Sequence, residues 1–112
     1  MIDLISKQEL NEYILGLSSK IKIEAKKDDR FIYNLDREIV AVADYNKLPF
    51  KVSVRCDKEL SKLLIEKYEE VIPGIDLNPK RWITIIITGQ LSAQEIKDLI
   101  LRSFELTKSI EN

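Results

Sequence analysis

The sequence predicts one α+β domain over residues 1–112, with an antiparallel sheet of about five strands and helices packed on one face. Segments rich in β-branched and aromatic residues are joined by connections of hairpin length, which pair strands in antiparallel fashion. Three other segments have apolar residues at the spacing of an amphipathic helix. Each of the three helices must bury its apolar face, and packing all three on one face of the sheet gives a compact domain. The predicted order is α-β-β-β-α-β-β-α.

The first helix is predicted to begin after Ser6, because Ser6 and Glu9 have the spacing of a capping box. Gly16 ends it. Its apolar stripe consists of Leu10, Tyr13, Ile14 and Leu17. Alternation over residues 20–24 suggests a short exposed strand, and residues 26–30 suggest a charged loop.

The predicted sheet follows. Residues 31–35 and 38–43 form a hairpin around Asp36 and Arg37. Residues 50–56 then alternate, which indicates a strand with one buried and one wet face. The buried positions are Phe50, Val52, Val54 and Cys56, and the exposed positions are Lys51, Ser53 and Arg55.

Asp57 is predicted to cap the second helix, whose apolar stripe extends to Val71 before Pro73 and Gly74 stop it. Ile75 and Leu77 suggest a brief strand, and residues 82–88 a longer one. Ser92 and Glu95 form a second capping box, from which the third helix extends to about Ser109.

Five features, in this order, resemble the MmcQ/YjbR family of small bacterial proteins. They are the alternating strand ending at Arg55-Cys56-Asp57, the Leu-rich helix ending in Lys67-Tyr68, Pro73-Gly74, Asn78-Pro79-Lys80-Arg81-Trp82, and a closing helix with Ser103-Phe104-Glu105-Leu106. The resemblance covers residues 31–108 and implies a CyaY-like (frataxin-like) fold. Members are often described as DNA-binding through a double-wing arrangement of hairpin loops. They often carry a histidine before the tryptophan, whereas Arg81 stands here, which excludes an imidazole role at this turn but not a cationic contact role.

The candidate DNA site consists of basic and aromatic residues. The formal net charge of −1 gives no global attraction to DNA, so binding requires a local patch. Lysine and arginine contact phosphates, and an indole stacks on a base. In the other interpretation these residues are solvated, and Trp82 is a half-buried anchor of the sheet. The predicted contacts are Lys51, Arg55, Lys80, Arg81 and Trp82, with Arg37, Lys47 and Asn78 as additional contacts.

No catalytic residue, metal site or cofactor is predicted, and we expect no enzyme. The chain has no histidine that could activate Cys56, and Asp57 beside it would raise the pKa of the thiol. A buried structural cysteine is the favoured interpretation. A frataxin-like fold invites a metal interpretation of the acidic residues on the second helix, but lysines interleave with them, which favours a solvated face.

The sequence therefore predicts a non-enzymatic binding protein, with DNA as the ligand that the resemblance implies. The alternative is a protein-interaction module or homodimer, in a secretion-chaperone-like or adaptor role without a nucleic-acid ligand. We expect a cytoplasmic protein with no membrane partner. Cys56 cannot form an intramolecular disulfide, the acidic Asp3 is unlike a signal peptide, and no apolar run spans a bilayer.

Overall fold

The computed structural model describes residues 4–26, 29–75 and 77–111, and within these ranges it contains one six-stranded sheet and three helices. In chain order the elements are α1 (Lys7–Gly16), β1 (Ile21–Lys26), β2 (Arg30–Leu35), β3 (Glu38–Asp44), β4 (Lys51–Arg55), α2 (Lys58–Lys67), β5 (Val71–Pro73), β6 (Trp82–Ile86) and α3 (Ala93–Glu111).

The strands lie in the order β1-β2-β3-β4-β6-β5, and all neighbours are antiparallel. The predicted α+β class is confirmed, with six strands instead of about five. The short strand suggested over residues 20–24 is present as β1, which pairs with the whole of β2, from Ile21 opposite Leu35 to Lys26 opposite Arg30.

The end of the second helix differs from the prediction. α2 stops at Lys67, where Tyr68 adopts an extended backbone conformation. Val71, predicted on the helix stripe, lies instead in β5 opposite Ile85. The brief strand predicted at Ile75 and Leu77 is thus displaced toward the N-terminus. Predictions for residues 1–3, 27–28 and 76 lie outside the described residues.

The helix caps agree with the sequence. Ser6 Oγ accepts a hydrogen bond from the Glu9 amide at 3.0 Å, and Asp57 Oδ1 accepts one from the Leu60 amide at 2.9 Å. The capping box of α3 is reciprocal, because Ser92 Oγ accepts from the Glu95 amide and Glu95 Oε1 accepts from the Ser92 amide. Side-chain oxygens therefore satisfy amides that a helix N-terminus leaves without a partner.

The core lies between the helices and one face of the sheet. Ala41, Val54 and Ile83 stand opposite one another on three adjacent strands and are fully buried. The helices contribute Leu10, Ile14, Ile96 and Ile100 to the same cluster. The predicted burial of Val52 and Val54 is confirmed.

The other face of the sheet is less open than the alternation predicts. The Ile75 amide donates to Thr84 Oγ1 at 3.0 Å, so the chain after β5 folds back over β6. Thr84 is hydrogen-bonded to Ser53 at 2.8 Å, and both are buried. The prediction that Ser53 is exposed is therefore wrong. Gly74 permits this close approach, because a Cβ there would lie 2.7 Å from Trp82 Cβ.

A buried hydroxyl joins β3 to β4 where their pairing ends. The paired residues run only from Asp44 and Lys51 to Ala41 and Val54. Beyond them, Ser103 Oγ of α3 donates to the Val40 carbonyl at 2.6 Å and accepts from the Arg55 amide at 2.8 Å. α3 thereby replaces the missing strand contact.

We expect Ser103→Ala to lower the free energy of unfolding by about 1–3 kcal/mol, because it leaves a buried carbonyl and a buried amide without partners. Urea unfolding measures the change. Ser109→Ala is the matched control, since its exposed hydroxyl bonds only to the Glu105 carbonyl of the same helix. It should stay within about 0.5 kcal/mol of wild type. Equal stability of the two variants would contradict the bridging role.

Candidate functional site

The site is built at the end of the sheet where β4 stops and β6 begins. Arg55 and Trp82 are opposite each other there, and the turn before β6 precedes Trp82 directly. Asn78 organises that turn: its side-chain oxygen accepts from the Lys80 amide at 3.0 Å and its carbonyl accepts from the Arg81 amide at 3.0 Å. The side chains of Lys80 and Arg81 are consequently exposed.

A cleft of about 660 Å³ separates this turn from the start of α2 and the end of α3. We call it the basic cleft. It combines a cationic side with an apolar side. Its cationic lining consists of Arg55, Lys58, Lys80 and Arg81, its apolar lining includes Leu106 and Ile110, and Cys56, Asp57, Asn78 and Ser109 complete it.

Arg55 is held rigidly in the wall of the cleft. Its Nε donates to the Ile39 carbonyl at 2.8 Å, its Nη2 forms an ion pair with Glu38 at 3.2 Å, and its Cζ lies 4.6 Å from the centre of the Trp82 ring. Burial lowers the pKa of Arg55; Glu38 opposes this effect, and the nearby Arg81 adds to it. Only 14% of the side chain is exposed, so the prediction of an exposed Arg55 is wrong.

Trp82 lies beneath Arg55 and is only 5% exposed. The open stacking platform expected from the sequence therefore does not form. The indole anchors the sheet and supports the arginine, as the other interpretation of this residue predicted.

The other predicted contacts divide between the two ends of the sheet. Lys51 is at the start of β4, about 13 Å along the strand from Arg55, and Lys47 precedes it in the β3–β4 connection. Arg37, in the β2–β3 turn, is at the same end as Arg55. Of the predicted residues, Arg55, Asn78, Lys80 and Arg81 line the cleft.

Lys58 is the cationic residue that the sequence reasoning missed. In the sequence it is one of several charges that interleave on α2, but as the first residue of that helix it lines the same cleft as Lys80 and Arg81. Its position directly after the strand–cap sequence that ends at Asp57 was the available signal.

Two acidic groups near the cleft, Asp57 and Glu38, already have partners. Asp57 caps α2 and forms an ion pair with Arg102 at 2.6 Å; the Leu60 amide and then Arg102 hold the pKa of Asp57 below its usual range. Glu38 is bound to Arg55. Among residues 4–26, 29–75 and 77–111, no carboxylate lies within 4 Å of the charged groups of Lys58, Lys80 or Arg81.

The described residues contain no group arranged to hold a metal ion, and the thiol of Cys56 is largely protonated at neutral pH. The described residues contain no group of three or more His, Cys, Asp or Glu side chains arranged to hold a metal ion. Burial raises the pKa of Cys56 to about 11, and Asp57 adds to the rise.

In the described part of the chain no helix is both long and apolar enough to cross a bilayer.

We expect native Cys56 to react slowly with a thiol reagent at pH 8, because the thiol is buried and roughly one part in a thousand is thiolate at that pH. The rate should rise as the pH approaches about 11, where the thiol ionises. Absorbance on reaction with a disulfide reagent measures this rate, and protein in urea is the control. Rapid reaction of the native protein at pH 8 would contradict the assignment as a structural cysteine.

Two solved structures share the fold. Protein DR2400 of Deinococcus radiodurans, described by its DUF419 domain, has a TM-score of 0.83 and 20% identity, covering 93% of this chain and 79% of that chain. A Pseudomonas syringae protein determined by a structural genomics consortium has a TM-score of 0.77 and 24% identity, covering 91% of this chain and 98% of that chain. At these identities the similarity shows the fold alone.

No curated protein matches this sequence. The YjbR family model matches residues 24–106, which include the whole sheet apart from the first three residues of β1, and all but the last five residues of α3. That match covers most of the chain and includes the residues of the basic cleft except Ser109 and Ile110. The chain therefore belongs to the YjbR family.

Proposed function

We propose that this protein is a non-enzymatic DNA-binding protein that contacts phosphates through the basic cleft. The observation that carries the proposal is the convergence of Lys58, Lys80 and Arg81 from two elements without a described carboxylate within 4 Å. Like charges that line one cleft repel one another, and a bound phosphate relieves that repulsion. Lysine and arginine side chains at the surface are also the usual ligands of DNA phosphates.

The placement of the turns supports the same proposal. The turn that carries Lys80 and Arg81 and the hairpin turn that carries Arg37 are at the same end of the sheet. Two loops at one end are what a double-wing mode of binding, implied by the resemblance, would use. The CyaY-like arrangement, bacterial origin and cytoplasmic location belong to this proposal as well.

The alternative function is protein interaction, including self-association. It is favoured by apolar side chains at the surface, since Ile110 beside the cleft is 51% exposed and Leu63 on α2 is 63% exposed. Exposed leucines and isoleucines scattered singly are common on monomers, however. Cations from two elements that line one cleft are the more specific feature, so DNA binding is the first proposal.

We expect Lys80→Ala/Arg81→Ala to weaken duplex DNA binding and to reduce the slope of log affinity against log salt by roughly 0.9 for each phosphate contact that the variant no longer makes. Fluorescence anisotropy of a labelled duplex, at several salt concentrations, measures both quantities. Lys58→Ala should act in the same direction with a smaller change in slope, because it removes one cation of the same cleft.

The charge-matched control is Lys20→Ala/Lys22→Ala, which removes two exposed lysines at the β1 edge of the sheet. It should leave the salt slope near that of wild type. A further pair, Lys47→Ala/Lys51→Ala, tests the opposite end of β4. Wild-type affinity no better than about 0.1 mM at physiological salt, unchanged in the cleft variants, would reject the proposal. Sedimentation that then reveals a dimer would favour the alternative.

A further inference from the structure

We propose that the basic cleft holds one unpaired nucleotide, with its base against Leu106 and Ile110 and its phosphate toward Lys58, Lys80 and Arg81. This inference rests on the DNA-binding function proposed above and names the form of nucleic acid that the site takes. The ligand chemistry is a nucleoside phosphate whose base is not in a helix. Its source is either an unpaired position of a single strand or a free mononucleotide.

The apolar side of the cleft is the first reason. A surface that only follows the phosphates of a duplex requires cations, because phosphate contacts carry the non-specific affinity. Here Leu106 and Ile110 line the same cleft as the cations, and their apolar side chains contribute nothing to phosphate binding. An adjoining apolar wall suits a ligand that is anionic at one end and flat and weakly polar at the other, which describes a nucleotide.

The size of the cleft agrees with such a ligand. Its volume of about 660 Å³ falls within the range of roughly 300–1,000 Å³ that is typical of pockets for small molecules and cofactors. A base in a duplex cannot enter such a pocket without leaving the stack, which costs a few kcal/mol. A base in a single strand or a free nucleotide has no such cost.

Arg55 is the third reason. Guanidinium planes are common stacking partners of unpaired bases, alongside aromatic rings. Three partners, Glu38, the Ile39 carbonyl and Trp82, fix the plane of Arg55 before any ligand arrives. Because Arg55 also lines the cleft, the exposed part of its fixed guanidinium is the contact available to a base in place of the indole, which is buried beneath it.

The test compares several ligands of the whole chain. Labelled single-stranded DNA and a duplex of the same sequence are titrated by fluorescence anisotropy at one salt concentration. Deoxynucleoside 5′-monophosphate and deoxyribose 5-phosphate are titrated separately by calorimetry. We expect the single strand to bind about tenfold or more tightly than the duplex, as stacking of a single base allows. Only the phosphate that carries a base should bind measurably.

The matched variants separate the apolar wall from the cations. Leu106→Ala/Ile110→Ser should weaken single-strand binding about tenfold and leave duplex binding unchanged. Leu101→Ser, on the same helix but outside the cleft, should change neither. If the melting curve shows that the double variant does not fold, Ile110→Ser alone tests the apolar wall. That side chain is already half exposed, so its replacement should not unfold the protein.

Each outcome has a defined meaning. A preference for the single strand that the wall variant abolishes supports the strand as the source, and binding of the mononucleotide that the wall variant abolishes supports the free nucleotide. Equal affinity for single strand and duplex, with no binding difference between the two small phosphates, overturns this inference and leaves phosphate binding intact. If neither DNA binds, the proposed function fails, and the mononucleotide titration alone decides whether the cleft takes a nucleotide.

Discussion

The hydroxyl of Ser103 is the contact on which the geometry of the basic cleft depends. It supplies both hydrogen bonds that β3 and β4 lack where their pairing ends, at the Val40 carbonyl and the Arg55 amide. Because this hydroxyl comes from α3, it fixes the position of that helix against the same end of the sheet. Leu106 and Ile110, one and two turns further along α3, are thereby brought to the same cleft as the turn that carries Lys80 and Arg81.

The cations of the cleft fall into two physical classes. Arg55 has little remaining freedom, since its donors and its plane are engaged by Glu38, the Ile39 carbonyl and Trp82. Lys58, Lys80 and Arg81 are exposed and must be ordered when a ligand binds, which has an entropic cost. A fixed planar group beside mobile charges suits a ligand that is placed by its base and retained by its phosphate.

Local patterns in the sequence predicted the parts of the fold that depend on local contacts. Both capping boxes and the buried valines of β4 follow from neighbours within a few residues, so they were predictable. The burial of Arg55 was not, because it depends on Glu38 and Ile39, 17 and 16 residues away, and on the serine 48 residues ahead. Lys58 was missed for the same reason, since only the folded chain places it in the same cleft as Lys80.

The difference between the fixed Arg55 and the exposed cations determines which residues are useful for testing function. If the proposed function is correct, the exposed cations act through charge, so their removal should alter the dependence of binding on salt without altering the fold. In the same proposal the apolar wall contacts a base, so its replacement should alter only the choice between paired and unpaired DNA. Replacement of Arg55 would give no clear measure of either the salt dependence or the choice between paired and unpaired DNA. Its replacement, even by lysine, would remove the bond to the Ile39 carbonyl and the stacking on Trp82, so weaker binding could not be distinguished from disruption of the sheet end that forms the site.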